Sequence, residues 1–246
     1  MQIQTLLRVD LFFIGLMFLS WPSDLGLAQS AGVDKKSDAA ANNALQQLER
    51  ALGHELQVEW NTDNGTPLFL SGGLTAPQFS ASHPSAQVAA LSFLRDYSAL
   101  FQIKEPVTEL LLVKSRTDEL GMTHLRFQQK YRDLPVWGCE LIAHFSKDGA
   151  ISSINGRYLP SFIISLIPSL TSEAAIDRAQ AHLELVFGED PNVGHANSTS
   201  LVIFPKRKNK HLAWLVSLPN RFSPNSKCIV DAITGDVLWI DIGIRN

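Results

Sequence analysis

Between Gly121 and Tyr158 apolar and polar residues alternate with a period of two, broken by two turn sequences. No other stretch limits the fold as much, because that period belongs to strands with one buried face. In the first segment Leu125, Phe127, Gln129 and Tyr131 share one face, and His124, Arg126, Gln128 and Lys130 the other. In the second, Trp137, Cys139, Leu141, Ala143 and Phe145 point to the core, with Val136, Gly138, Glu140, Ile142 and His144 opposite. The apolar faces coincide only if paired residue numbers sum to an even value near 266 or 268, since a one-residue slip would turn a whole face outward. Arg126 is then opposite Glu140 or diagonal to it. Asp148-Gly149 reads as a two-residue hairpin loop that sets Lys147 against Ala150. Glu140 then faces Arg157, His144 faces Ser153, and Ala143 faces Ile154. The expectation is a three-stranded antiparallel meander with an Arg126–Glu140–Arg157 charge ladder on its polar face. Opposite-charge cross-strand pairs contribute roughly 0.2–1 kcal/mol each. The ladder reads first as a register lock and secondly as a docking face for a partner, with His124 and His144 as candidate contacts. Gln129 lies on the apolar face, and a buried amide must find partners; backbone groups of a loop are the expected ones.

The rest of the chain supplies helices and a second sheet. Residues 31–43 are small and polar and are expected to be mobile; Ala44–Leu52 reads as a short helix stopped by Gly53. Leu56–Trp60 and Pro67–Leu70 are short strands around the turn Asp63-Asn64-Gly65. Ser82 is the expected cap of a helix with Pro84 in its first turn. Its core stripe is Ala90, Phe93, Leu94, Tyr97 and Phe101. A linker is expected over 161–170. A second helix then starts near Thr171, with Ile176, Ala179, Leu183 and Val186 or Phe187 buried and Gly188 as its stop. Four strands follow, Leu201–Phe204, Leu212–Leu218, Lys227–Ala232 and Val237–Asp241, the last two joined by Thr234-Gly235-Asp236. Helix before antiparallel strands, twice over, implies an α+β fold of two consecutive units, each with a helix packed on an antiparallel sheet. They are expected over 44–160 and 171–246.

Arg8, the apolar run Leu11–Leu19, Pro22 and the small-x-small triplet Ala28-Gln29-Ser30 read as an export signal over residues 1–30. The run is short for a membrane span, so a secreted or periplasmic location is expected, with no stable membrane anchor. Twenty-one basic against twenty-four acidic residues, a net charge of −3, argue against a nucleic-acid partner. Cys139 and Cys228 are the only cysteines. Placed in separate units, they read as small buried residues rather than a bridge. Asn64-Gly65-Thr66 and Asn197-Ser198-Thr199 are formal glycosylation sequons.

Motifs for chemistry are missing from the sequence. A helical zinc site of H-E-x-x-H type needs two histidines one turn apart. His54-Glu55-Leu56-Gln57-Val58 comes nearest, but it has valine at the second position and alternates like a strand. Glu140 and His144 would be about 13 Å apart along a strand. No G-x-S-x-G, Walker or dinucleotide pattern occurs. Neither a catalytic residue, a metal ligand nor a cofactor is expected. The basic run Lys206-Arg207-Lys208-Asn209-Lys210 falls in a hairpin turn, where it is a solvated loop or a contact for an acidic protein surface.

Arg126-Phe127-Gln128-Gln129-Lys130-Tyr131 followed by Leu134-Pro135-Val136-Trp137-Gly138-Cys139-Glu140 resembles the motif R-x-Q-Q-x-Y-x-G-x-P-V-x-G-x-E of the fungalysin/thermolysin propeptide module. Asp133 stands where that motif has glycine. Residues 171–241 are similar to a PepSY domain, with Asp231 and Gly235 in its final hairpin. The resemblance implies the prosegment of thermolysin-type (M4) zinc proteases, which assists folding of a catalytic domain and inhibits it. In that family Arg126, Gln129, Tyr131, Pro135, Gly138, Glu140, Arg157, Asp231 and Gly235 are structural positions. The implied partner is a metalloprotease catalytic domain, joined in cis in the family and expected here in trans if at all, the sequence ending at Asn246, about where that domain would begin. The other readings are a precursor whose catalytic part is missing or separately encoded, and a cell-envelope interaction module without a protease partner.

Overall fold

In the computed structural model, residues 35–76, 78–188, 196–220 and 223–241 are described, and they form six helices and ten strands. The expected export signal lies outside them. No described helix is long and apolar enough to cross a membrane.

The first unit begins with helix α1 (Lys35–Leu52), nine residues ahead of the expected start at Ala44. Most of the segment expected to be mobile is therefore helical. Its alanines are strong helix formers, and Ala41, Ala44 and Leu48, at i, i+3 and i+7, bury a stripe that composition alone reads as bland. Strands β1 (Gln57–Trp60) and β2 (Pro67–Ser71) pair antiparallel. Helices α2 (Gln78–Ala81), α3 (Ala86–Asp96), α4 (Ser98–Phe101) and α5 (Pro106–Glu109) follow. Ser85, not Ser82, caps α3 by accepting from the Val88 amide. Ser82 instead donates its hydroxyl to the Phe79 carbonyl, closing the preceding turn. Ala90, Phe93, Leu94 and Phe101 are buried as the stripe requires, with Tyr97 half-buried against Phe93.

The expected three-stranded meander is β4 (Thr123–Tyr131), β5 (Leu134–Phe145) and β6 (Ile151–Gly156), and a fourth strand not expected from the sequence, β3 (Leu110–Thr117), pairs with β4 on its outer side. Its β4–β5 pairs sum to 268, with Phe127 on Leu141 and Arg126 on Ile142, so Glu140 is diagonal to Arg126. The β5–β6 pairs are also the expected ones, Ala143 with Ile154 and His144 with Ser153. They arise by another route, however. The loop has three residues, Lys147–Gly149, closed by a Ser146 amide to Ala150 carbonyl bond of 2.9 Å, with Gly149 at φ 86. An extra residue at Ser152 then shifts the ladder between Phe145 and His144, and the two offsets cancel. The strand order β1-β2-β6-β5-β4-β3 makes one sheet. The helices cover its apolar face, around Leu70, Phe93, Leu94, Phe101, Phe127 and Leu141.

The second unit is helix α6 (Ser172–Phe187) on β7 (Ser198–Lys206), β8 (Asn209–Asn220), β9 (Ser223–Asp231) and β10 (Val237–Asp241). Thr171 caps α6 by accepting from the Ala174 amide, and Gly188 ends it. Ala175, Ala179 and Leu183 are buried against Val216, Leu218, Cys228 and Val230, with Ile176 at the margin. Val186, expected in the buried stripe, is instead 52% exposed. The Phe187 side chain is outside the described residues. Both cysteines are free and buried.

The two units are not strung apart. The first half of β5 pairs in parallel with β7, at Val136 and Ile203, so one strand belongs to both sheets. The expected linker is an extended strap, with Phe162, Ile164 and Leu166 packed over Val136, Cys139, Ile203, Leu212 and Ala232. Parallel pairing between segments this far apart leaves no periodic trace in either segment, which is why a boundary at 161–170 looked adequate.

Gly156 tests the close approach of β5 and β6. Its φ is 138, and a Cβ there would lie 2.0 Å from the Glu140 carbonyl oxygen. Gly156→Ala is expected to destabilise the chain by at least about 2 kcal/mol, the cost of forcing backbone apart in a packed sheet. Gly73→Ala, also at positive φ but with nothing within 4 Å, should cost only the left-handed penalty of about 1–2 kcal/mol. Urea unfolding of both variants measures the difference; equal losses would reject the steric account.

Candidate functional site

Between Gln128↔Glu140 and Lys130↔Pro135, β4 advances two residues while β5 advances five, so Val136–Cys139 loop out of the β4 register. Gly138 at φ 71 makes the excursion sterically easy. The side chain of Gln128 fills the gap. Its Nε2 lies 2.8 Å from the Val136 carbonyl, 3.0 Å from that of Cys139 and 2.9 Å from that of Gln129. Gln128 was read from the sequence only as a polar-face residue; the motif's double glutamine was the available signal.

Gln129 is 3% exposed and holds the strap. Its Nε2 donates to the Leu159 carbonyl at 2.7 Å, and its Oε1 accepts from the Leu159 amide at 2.9 Å. This is a two-point grip of the kind another strand would supply. Tyr131 stacks on Phe162 of the strap, ring centroids 4.6 Å apart. The next turn has Arg132, not Asp133, at positive φ (54), so the departure from the motif's glycine falls on a residue that needs no left-handed conformation. Strap, turn and α5 enclose a groove of about 720 Å³ lined by Lys104, Glu109, Tyr131, Arg132, Phe162 and Ile163, among others. Beneath it, the buried Tyr158 donates its hydroxyl to the Glu109 carboxylate. Burial and then that carboxylate hold the Tyr158 phenol well above its ordinary range. Asn64 donates to the Tyr158 carbonyl at 3.0 Å and accepts from Thr66, so the first sequon is tied into the same corner.

On the polar face, Arg126 donates to Glu140 at 2.7 Å. Arg157 gives its amide to the Glu140 carbonyl at 2.8 Å. Among the described residues, its side chain forms no ion pair within 4.0 Å, so the ladder has one rung rather than two. His124 and His144 stand directly opposite each other, with Nδ1 atoms 2.7 Å apart. His124 Nε2 is 3.1 Å from Asp118 Oδ2, and His144 Nε2 is 2.6 Å from Asn155 Oδ1. The His124 ring, foremost, and the Met122 amide hold the Asp118 carboxyl below the usual range. The sum of 268 already contained this histidine pair.

In the second unit Asp231, 5% exposed, accepts from the Ile233 and Thr234 amides at 2.8 and 3.0 Å and from His211 Nδ1 at 2.7 Å. Burial pushes its carboxyl up, but those amides and the His211 ring together bring it below the ordinary range. Gly235, at φ 79, closes the turn through its amide to the Asp231 carbonyl. His211 carried no sequence signal, since its partner is on another strand. Pro135 pairs with Lys130 at the edge of the excursion. Lys206, Arg207 and Lys208 are exposed at the tip of the β7–β8 hairpin, away from the groove residues in sequence and on the other unit.

These groups favour structure over bond-making. Burial pushes the Cys139 thiol up to about 11, against the pull of Arg157, and the Cys228 thiol up to about 12. Neither is a ready nucleophile. Gln57 and Val58 lie in β1, so the segment from His54 is not the helix that an H-E-x-x-H arrangement needs.

Residues 108–158 match the family model of the Fungalysin/Thermolysin Propeptide Motif. The chain is also similar to thermolysin of Alicyclobacillus acidocaldarius subsp. acidocaldarius, 33% identical over 200 residues, covering 76% of this chain and 35% of that protein. It is 29% identical over 193 residues to a thermostable neutral protease of Geobacillus stearothermophilus, covering 74% and 34%. Bacillolysin of Bacillus caldolyticus is 31% identical over 191 residues, covering 73% and 33%. The chain thus spans about a third of the length of the curated relatives it matches. Together these similarities support a propeptide region of the thermolysin-type (M4) proteases.

Two substitutions test the geometry. Gln129→Ala strands the Leu159 amide and carbonyl, each worth about 1–3 kcal/mol when buried without a partner. A loss of about 2–4 kcal/mol is expected in urea unfolding, with faster amide exchange confined to the strap. Exchange unchanged at Leu159 would refute the grip. For Asp231 the folded carboxyl titrates lower than the unfolded one, so the unfolded chain binds more protons as pH falls. Its contribution is present above the ordinary value near 3.9 and is lost as pH drops below it through the lower folded value. Asp231→Asn should cost about 1–3 kcal/mol at neutral pH. The gap between variant and wild type should shrink below about pH 4, as read from paired denaturation curves.

Proposed function

We propose that this chain is the exported, non-catalytic prosegment of a thermolysin-type metalloprotease, which assists folding of the catalytic domain and restrains it. The observation that carries the reading is the use to which the motif is put. Arg126, Gln128, Gln129, Tyr131, Gly138 and Glu140 hold an excursion, a strap and a cross-strand pair in place. They prepare surfaces and activate no nucleophile. A module of this kind acts through binding: whatever holds the native state of a partner and not its unfolded state stabilises it by mass action. If the partner is covalently attached, that binding becomes effectively unimolecular.

Two surfaces suit such a partner. One is the groove between the strap and the β4–β5 turn, with Ile163 97% exposed at its margin. The other is the polar face of the first sheet, where Phe69 of β2 and Leu111 and Val113 of β3 are exposed. The catalytic domain is the proposed occupant whether it is joined to the chain or supplied separately.

The test is refolding. The denatured catalytic domain of a thermolysin-type protease is diluted with and without an equimolar amount of this chain, and recovered peptidase activity is read after the chain is removed. The chain should raise the recovered yield severalfold and should inhibit the native enzyme when added to it. Ile163→Asp, at a position so exposed that folding does not depend on it, should weaken inhibition at least tenfold with the melting temperature unchanged. No effect on yield or activity across several M4 enzymes would leave the envelope-module reading in its place.

A further inference from the structure

The structure assigns a second chemistry to the polar face: we propose that His124 and His144 form a two-nitrogen site for a divalent transition-metal ion. The inference does not rest on the prosegment reading. The two residues are directly opposite on β4 and β5, with Nδ1 atoms 2.7 Å apart. Each ring's far nitrogen is already engaged. His124 Nε2–H is donated to the Asp118 carboxylate and His144 Nε2–H to the Asn155 carbonyl oxygen. With those two protons placed, both Nδ1 lone pairs face the same gap and are available to a metal ion.

The distances favour the metal reading as an available state. Two nitrogens about 2.0 Å from one ion lie about 2.8 Å apart at right angles and about 3.3 Å apart on tetrahedral corners. The pair therefore needs a displacement of tenths of an ångström, within the reach of two ring rotations. Ligating histidines characteristically donate their other N–H to a carboxylate or carbonyl, which fixes the tautomer and raises ligand basicity. Asp118 and Asn155 are placed to do this. The His124 side chain is 29% exposed, so an ion with its waters can reach it. Among the described residues no group of three or more His, Cys, Asp or Glu is placed to hold a metal. An ion here would take two protein nitrogens and complete its shell with water. That set suits Cu²⁺ or Ni²⁺ with cis nitrogens, and Zn²⁺ with some opening of the pair. Arg116, paired with His124 from β3, and Arg126, two residues along β4, oppose the added charge; Asp118 offsets it. A bound ion would cross-link β4 to β5 beside the motif, and so stabilise the native sheet.

The test adds Zn²⁺, Ni²⁺ and Cu²⁺ separately to the tag-free chain at neutral pH and follows every histidine ring nitrogen by long-range ¹H–¹⁵N correlation. The Nδ1 signals of His124 and His144 should shift with Zn²⁺ or broaden with Cu²⁺ together, saturating at one ion per chain and reversing with a chelator. His124→Gln and His144→Gln should each lower the affinity at least tenfold, and Asp118→Asn about tenfold through the ring it orients. Circular dichroism of each variant checks the fold, and the wild-type ring signals stand without any variant. Rings unperturbed at saturating metal would overturn the proposal. So would shifts confined to exposed histidines such as His54, or an affinity untouched by both glutamine variants.

Discussion

The excursion of Val136–Cys139 out of the β4 register is the feature on which the rest of the molecule depends. Leaving the ladder frees backbone carbonyls, and a buried carbonyl without a partner costs about 1–3 kcal/mol. Gln128 removes that cost for Val136 and Cys139 at once. Val136 is then free to pair with Ile203 of the second sheet, and Cys139 faces the cluster between the units. Without the glutamine amide and the positive φ of Gly138, β5 would continue against β4 and the second sheet would lose its edge partner. One local irregularity therefore converts two helix-on-sheet units into a single ten-stranded system.

The same arrangement settles what the charges contribute. The Arg126 and Glu140 side chains are 46% and 34% exposed, and a pair so open to solvent contributes at most a fraction of a kcal/mol to about 1 kcal/mol. The apolar faces fix the register: Leu125, Phe127, Leu141, Ala143 and Ile154 are each nearly sealed from water. A shift by one residue would expose them all. The motif's conspicuous ion pair is thus the smaller part of its stabilisation, and its two glutamines are the larger.

Much of this was legible in the sequence because antiparallel registers obey arithmetic. The β4–β5 sum and the grip of Gln129 on loop backbone both followed from which face had to be buried. The β5–β6 pairs followed too, though through a loop one residue too short and a bulge that was not foreseen. The unread parts share a physical cause. The parallel contact of Val136 with Ile203, the pairing of His211 with Asp231, and the packing of the strap all join segments distant in the chain, and local periodicity carries no term for them. Helix α1 was underestimated for a different reason: alanine buries little area, so Ala41, ahead of the expected start, looks like part of a polar tail.

The buried polar residues explain why the strap is available as a surface. Gln129 grips Leu159, just ahead of the strap, from the first unit. At its other end Ser169 and Leu170 donate to the carbonyl of Ala232, the residue next to Asp231, whose carboxylate fixes that turn. Trp214 donates to Leu170 as well. Each unit thus clamps one end of the same segment. In between, Phe162, Ile164 and Leu166 pack inward while Ile163 and Ile167 face solvent, 97% and 78% exposed. Binding ordinarily costs the ordering of whatever segment makes the contact. A strap already extended, and held at both ends by hydrogen bonds from two sheets, has had that entropy removed by folding. Exposed isoleucines on such a segment are therefore better placed to engage a partner than the same residues on a free linker would be.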